Sequence, residues 1–155
     1  MRTFRAGDIS SIALGLWAAV VVAVPAALAQ TSPKAVFEQH KLLGVFAWDC
    51  SKPASQSNYY YVHRALDASF VQRDMMSAET TRAWSAIIDK ASLRPPDEII
   101  VSGTRDGQPF DSLYRFEARR MRVLEGTVAG KKEISGGKFV NTGWESPWLN
   151  KCDAK

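Results

Sequence analysis

Cysteine and histidine are scarce in this sequence, and their scarcity argues against a metal centre. The 155 residues include two cysteines and two histidines, whereas a structural zinc site ordinarily takes four such ligands. Phosphate-binding loops are also missing. The segment Ser135 to Lys138 contains two glycines and a lysine, but it lacks the P-loop spacing and a following helix. We therefore expect no metal and no cofactor.

A recognisable catalytic constellation is absent as well. His63 lies near Asp67 and Asp74 in the sequence, but no motif pairs a nucleophile with them. Charge of one sign does not dominate either, because the net charge is only +4. The basic run Arg119 to Arg122 is interrupted by Met121, as expected where alternate side chains of a strand face water. Catalytic residues and a nucleic-acid partner are therefore not expected.

The sequence has one long hydrophobic run, Ile12 to Leu28, near its start. Arg2 and Arg5 precede the run, and Ala27-Leu28-Ala29 before polar residues is typical of a signal-peptide cleavage site. An uncleaved anchor is the alternative, because the run is almost long enough to span a bilayer. We expect residues 1–29 to be a signal peptide and 30–155 to form one periplasmic or secreted domain without a stable membrane span.

Two cysteines in an exported chain most simply form one disulfide. Cys50 ends the strand expected over Leu42 to Cys50, and Cys152 lies near the C-terminus. A bond between them would tie the first strand to the last element of the fold. The chain-entropy model gives up to ~4.7 kcal/mol for closing a loop of about 100 residues.

Short alternating runs with regularly spaced turns predict an all-β fold. Ser32-Pro33 predicts the start of a short helix extending to Lys41. Asp106-Gly107, between two alternating runs, is the sequence that a type I′ hairpin turn requires. The runs favour an antiparallel up-and-down barrel or meander of about eight strands, in which the last strand pairs with the first. The further strands are expected over Tyr59 to Leu66, Phe70 to Met76, Glu98 to Thr104, Phe110 to Ala118, Arg120 to Val128, Lys132 to Ser135 and Lys138 to Thr142.

Thr81 to Leu93 fits two periodicities. Trp84, Ile87, Ile88 and Ala91 match a helical face. Trp84, Ala86 and Ile88 equally match one face of a strand. We favour a strand, because the neighbouring segments are strand-like. The alternative is an α+β fold in which this segment is helical. The segment Gly143 to Lys155 is expected to be a coil or a short turn.

The start of the predicted barrel resembles that of a lipocalin. In lipocalins a short helical turn closes one end of the barrel, and G-x-W then opens the first strand. Leu43-Gly44-Val45-Phe46 occupies that place here, with Phe46 where the tryptophan is expected and Trp48 two residues later. The chain is also similar to small exported bacterial proteins of uncharacterised function that carry D-C near the start and P-W-x-N-K-C at the end. Small barrels of the expected size can hold one small ligand.

Bulky side chains on one face of several strands are the candidate ligand-binding residues. They would converge inside a closed sheet, where they could line a cavity or fill it. An arginine among Arg64, Arg73 and Arg115 that points inward would need a partner, such as an acidic ligand head group. The candidates are Phe46, Trp48, Tyr59, Tyr61, Met75, Tyr114 and Phe116.

Three functions follow from this interpretation. The favoured one is a small exported binding protein that carries or senses a small, partly apolar or acidic ligand. The alternative is an envelope module that binds another protein without a ligand pocket. An enzyme is the least favoured. A large internal cavity would favour the carrier, and a filled barrel with an exposed apolar patch would favour the interaction module.

Overall fold

A computed structural model describes residues 32–153, which form one short helix and ten strands. The expected signal peptide, residues 1–29, lies outside the described residues. The helix is α1 (Pro33–Gln39). The strands are β1 (Gly44–Ala47), β2 (Tyr60–Ala65), β3 (Val71–Met76), β4 (Arg82–Arg94), β5 (Glu98–Arg105), β6 (Gln108–Glu117), β7 (Arg120–Val128), β8 (Lys131–Ser135), β9 (Lys138–Phe139) and β10 (Leu149–Lys151).

Eight of these strands close into an antiparallel barrel. Strands β1 to β7 pair in sequence order, and β10 then pairs with both β1 and β7. Phe46 faces Lys151 across the β1–β10 pair, and Leu149 faces Met121 across the β10–β7 pair. Strands β8 and β9 extend from the other end of β7 as a hairpin. The expected all-β barrel with a short N-terminal helix is therefore confirmed.

The β5–β6 connection is the hairpin turn that the sequence predicts. Asp106 and Gly107 have φ values of +48° and +80°, as a type I′ turn requires of both central residues. The backbone twist of such a turn matches the right-handed twist of the two strands that it joins. The turn therefore pairs Arg105 with Gln108, and this pairing sets the register of the whole β5–β6 hairpin.

The strand favoured for Thr81 to Leu93 is confirmed as β4, Arg82–Arg94, and the helical alternative is wrong. Ala86 and Ile88 are buried in the barrel, and Trp84 packs against the same core. The register between β4 and β5 shifts after Ile88 at a bulge. At this point Gly103 lies so close to β4 that a Cβ atom would fall 1.9 Å from the carbonyl oxygen of Ile87.

The C-terminal segment differs from the expected coil. Leu149–Lys151 is a strand, because its backbone finds partners on both β1 and β7. The first strand is also shorter than expected, since β1 ends at Ala47. Trp48 therefore lies beyond β1, with 62% of its surface exposed, and does not join the inward-facing side chains.

A disulfide joins the segment after β1 to the segment after β10, as expected. Cys50 follows β1 and Cys152 follows β10, with their Cα atoms 5.4 Å apart. The backbone N–H of Cys152 also donates to the carbonyl of Val45 at 2.8 Å. Helix α1 begins at Pro33, where the Ser32 side chain accepts from the N–H of Ala35. Its buried Val36 and Phe37 join the barrel core.

Candidate functional site

A buried arginine occupies the centre of the barrel interior. Arg73 lies on β3 among inward-facing residues, and only 2% of its surface is exposed. Its Nε–H donates to Nε2 of His63 at 2.9 Å, and its Nη1 donates to the hydroxyl of Tyr114. The guanidinium carbon also lies 4.4 Å from the centre of the Tyr114 ring and 5.7 Å from that of Tyr61. These contacts hold the guanidinium in one orientation.

The neighbouring histidine is held neutral. His63 faces Arg73 directly across the β2–β3 pair. Its Nε2 accepts from Arg73, which places the ring proton on Nδ1, and Nδ1 donates to the carbonyl of Leu42 at 2.8 Å. Burial and the Arg73 charge lower the pKa of His63 well below its ordinary value of 6.5. His63 therefore positions Arg73 without adding charge.

The charge of Arg73 is not neutralised by an acidic side chain among residues 32–153. The side chains that it contacts, His63, Tyr61 and Tyr114, are neutral, and its Nη2 is a buried nitrogen without a hydrogen-bond partner. A buried charge normally has an ionic partner, because desolvation is costly. Aromatic faces compensate only in part. The arrangement therefore has the electrostatic features of an anion-binding site.

Two small cavities lie beside Arg73. One has a volume of about 40 Å³ and is partly open, and the other, near α1, has about 10 Å³. The larger exceeds the ~10–15 Å³ that one water needs, but it is far below the ~300–1,000 Å³ of a drug-sized pocket. It has room for a small anion or a single carboxylate group. Besides Arg73, its polar lining comprises Tyr61, Arg105, Ser112, Tyr114, Thr127 and Glu133.

An ion pair borders the larger cavity. The guanidinium of Arg105, on β5, donates to both carboxylate oxygens of Glu133, on β8, at 2.8 and 2.7 Å. These hydrogen bonds raise the pKa of Arg105. The Arg105 guanidinium also lies over the ring of Trp84, 5.2 Å from its centre. The second cation at the cavity is thus already paired, in contrast to Arg73.

The structure brings some of the predicted residues together and separates others. Tyr61 and Tyr114 line the cavity, and Phe46 packs against His63 within the same core. Tyr59, Met75 and Phe116 are partly buried against that core. Trp48 is the exception, on the outside of the barrel.

Of the three arginines considered from the sequence, only Arg73 points inward. Arg64 pairs with Asp74 on the outer face, and Arg115 pairs with Glu98. In the sequence, the only indication that Arg73 faces inward is its alternation with apolar neighbours. Arg64 and Arg115 show the same alternation, so the sequence does not distinguish the three. Sequence reasoning assigned no binding role to His63, Trp84, Arg105 or Glu133, because the cross-strand register that joins them is not visible in a single strand.

The outer surface carries a larger, open groove beside the disulfide. Its volume is about 730 Å³, and its floor is the outward face of β1 and β2. Unlike the inner cavity it contains no buried unpartnered polar group within the part of the chain that is described. Its main lining side chains are Val45, Pro53, Ala54, Tyr60, Val62 and Met76, with Arg64 and Glu79 at its border.

Comparisons with known proteins add no family to these observations. No family model, curated protein or solved structure matches the chain. Within residues 32–153 no helix has the length and apolar character needed to cross a membrane. Over the same range no three His, Cys, Asp or Glu side chains are grouped as a metal site. The fold and site together define a closed eight-stranded barrel with a cationic group inside.

Proposed function

We propose that this protein is a small exported binding protein whose barrel holds the acidic group of a small ligand. The observation that supports it is the buried guanidinium of Arg73, a residue that lines a cavity. One of its nitrogens, Nη2, has no hydrogen-bond partner, and no acidic side chain among the described residues pairs with it. A carboxylate bound in this cavity would pair with the Arg73 guanidinium, which lines it. Ligand binding would thereby supply the charge compensation that the chain itself does not provide.

The size of the cavity restricts the ligand. Most of the interior is filled by side chains, and the free space beside Arg73 is about 40 Å³. A fatty-acid chain does not fit inside such a barrel. The ligand is therefore a small carboxylate, or a larger molecule whose carboxylate enters and whose apolar part rests against Trp84, a partly exposed residue that lines the cavity. The sequence predicted a partly apolar or acidic ligand, and the cavity volume restricts the part of it that enters the barrel to a group of carboxylate size.

Location is part of the same proposal. A disulfide between Cys50 and Cys152 supports an oxidising compartment, so we place the protein in the periplasm or outside the cell after removal of residues 1–29. We also propose that the protein is lipocalin-like, because it has a closed barrel, a short helix before β1 and Gly44 at the start of β1.

Removal of the signal peptide can be tested separately. Intact-mass analysis of the exported protein should show Gln30 at the N-terminus, and retention of Met1 in a membrane fraction would contradict cleavage.

The binding test compares two arginine variants. Purified protein is titrated with sodium acetate and sodium benzoate at constant ionic strength, and binding is followed by calorimetry and tryptophan fluorescence. We expect saturable binding by the wild type and at least tenfold weaker binding by Arg73→Gln. The control Arg94→Gln makes the same change on an exposed arginine and should bind like the wild type.

Two results would overturn the proposal. The first is the absence of saturable binding for every carboxylate tested. The second is equal binding by the wild type and Arg73→Gln, since an anion held elsewhere would not depend on this residue. The largely filled interior and the apolar outer groove are the features that favour the envelope interaction module, and Arg73 is the reason for preferring a ligand site. Either result would therefore leave the interaction module as the better interpretation.

A further inference from the structure

The two cations at the cavity differ in how much charge they offer to a ligand. No acidic side chain among the described residues pairs with Arg73, whereas both terminal nitrogens of Arg105 donate to Glu133. The three groups line one cavity. The Arg105–Glu133 pair adds no net charge, so the positive charge left for a ligand is that of Arg73 alone.

We infer that the site selects monoanions over dianions and that Glu133 determines this selectivity. The inference rests on the proposed function, because it concerns the charge of the ligand that Arg73 holds. One unit of negative charge on the ligand balances Arg73. A second unit would lie beside the Glu133 carboxylate without a free cation, and like charges at such short range repel each other. Rejection of a wrong ligand by a repulsive group is a common source of specificity.

Arg105 is held in place by more than its carboxylate partner. Its guanidinium lies over the Trp84 ring, and its side chain is only 22% exposed, against 43% for Glu133. Neutralising Glu133 therefore leaves Arg105 at the cavity with its donors released. In Glu133→Gln the cavity would present two unpaired cations, which is the arrangement that a dianion requires.

Oxamate and oxalate test the inference directly. The two molecules have the same number of non-hydrogen atoms and nearly the same shape, but near neutral pH oxamate carries one negative charge and oxalate carries two. Calorimetric titration at constant ionic strength should show that wild-type protein binds oxamate at least tenfold more tightly than oxalate. In Glu133→Gln this preference should fall at least tenfold, through tighter oxalate binding.

Two further variants complete the test. Glu125→Gln neutralises a carboxylate on β7 that pairs with Lys132 and does not line the cavity, and it should keep the wild-type preference. Arg105→Gln leaves Glu133 without its partner, so it should weaken oxalate binding more than oxamate binding. The melting temperature of each variant shows whether the variant is folded.

The outcomes separate this inference from the proposed function. Equal binding of oxamate and oxalate by the wild type, or an unchanged ratio in Glu133→Gln, overturns the selectivity while leaving Arg73-dependent binding intact. Absence of Arg73-dependent binding of either anion overturns both. A preference that shifts in Glu133→Gln and not in Glu125→Gln supports the assignment of Glu133.

Discussion

Arg73 donates from Nε to Nε2 of His63 over 2.9 Å, and both side chains are buried inside the barrel. The hydrogen bond requires His63 to be neutral, because a protonated imidazole has no acceptor. Protonation would also place two cations in contact. The geometry of the candidate site therefore depends on a neutral His63, and hence on pH.

The first prediction concerns stability in mild acid. The pKa of His63 lies well below 6.5 in the folded protein and near 6.5 in the unfolded chain, so the unfolded chain binds a proton first. Stability due to His63 is complete above about pH 7 and falls as the pH drops below ~6.5, by up to ~1.4 kcal/mol per unit. Urea unfolding of wild type and His63→Gln between about pH 7 and 5 should show a smaller loss in the variant. Equal losses would contradict the prediction.

The second prediction concerns the disulfide. Cys50 and Cys152 are 102 positions apart in the sequence, so the bond restricts most of the unfolded chain. The double variant Cys50→Ser/Cys152→Ser should lose ~2–5 kcal/mol of unfolding free energy and about 10 °C or more in melting temperature. Calorimetry with and without a reducing agent provides the measurement. A reducing agent should destabilise the wild type and leave the variant unchanged.

The third prediction concerns the close approach of β5 to β4. A methyl group at Gly103 would lie 1.9 Å from the backbone oxygen of Ile87, whereas one at Gly126 would make only ordinary contacts with Ile134. Gly103→Ala should therefore cost ~1–3 kcal/mol or more through overpacking, and Gly126→Ala should cost clearly less. Chemical denaturation of the two variants side by side provides the comparison. Equal stability of the pair would show that the backbone at the bulge adjusts freely.

The fourth prediction concerns the alkaline range. Burial raises the pKa of Tyr59 to about 12, with a contribution from Tyr114, and burial raises the pKa of Tyr61 well above 10.0. An acid with a raised folded pKa contributes stability that is complete below its unfolded pKa and is lost as the pH rises above ~10. Absorbance titration of the phenolate band should show both tyrosines protonated near pH 11 while the fold persists. Ionisation of all four tyrosines near pH 10 in folded protein would contradict it.

Sequence patterns predict the part of the fold that local interactions determine. The strand pattern around Asp106-Gly107 follows from a two-residue alternation and a turn that only certain residues adopt. The strand β10 could not be found in this way. It is three residues long, and its extended backbone depends on β1, about a hundred residues away, and on β7.

The candidate site was less predictable than the fold for a related reason. Alternation suggested that Arg73 could face inward, but only the β2–β3 register places it opposite His63. The Arg105–Glu133 pair joins strands that are not neighbours in the sheet order. The prediction that Trp48 faces inward was wrong for a different reason: it assumed that the strand alternation continues to Cys50, whereas β1 ends at Ala47.

Closure by β10 also sets an order of events in time. A chain is synthesised from its N-terminus, so Gly44–Ala47 emerges long before Leu149–Lys151, its partner on one side. Until then the nascent sheet has two unpaired edges, at β1 and at the first residues of β7, and such edges invite pairing with other chains. The interval between making β1 and making β10 is therefore the period in which this protein is most exposed to misassembly, and it ends only when the final strand arrives.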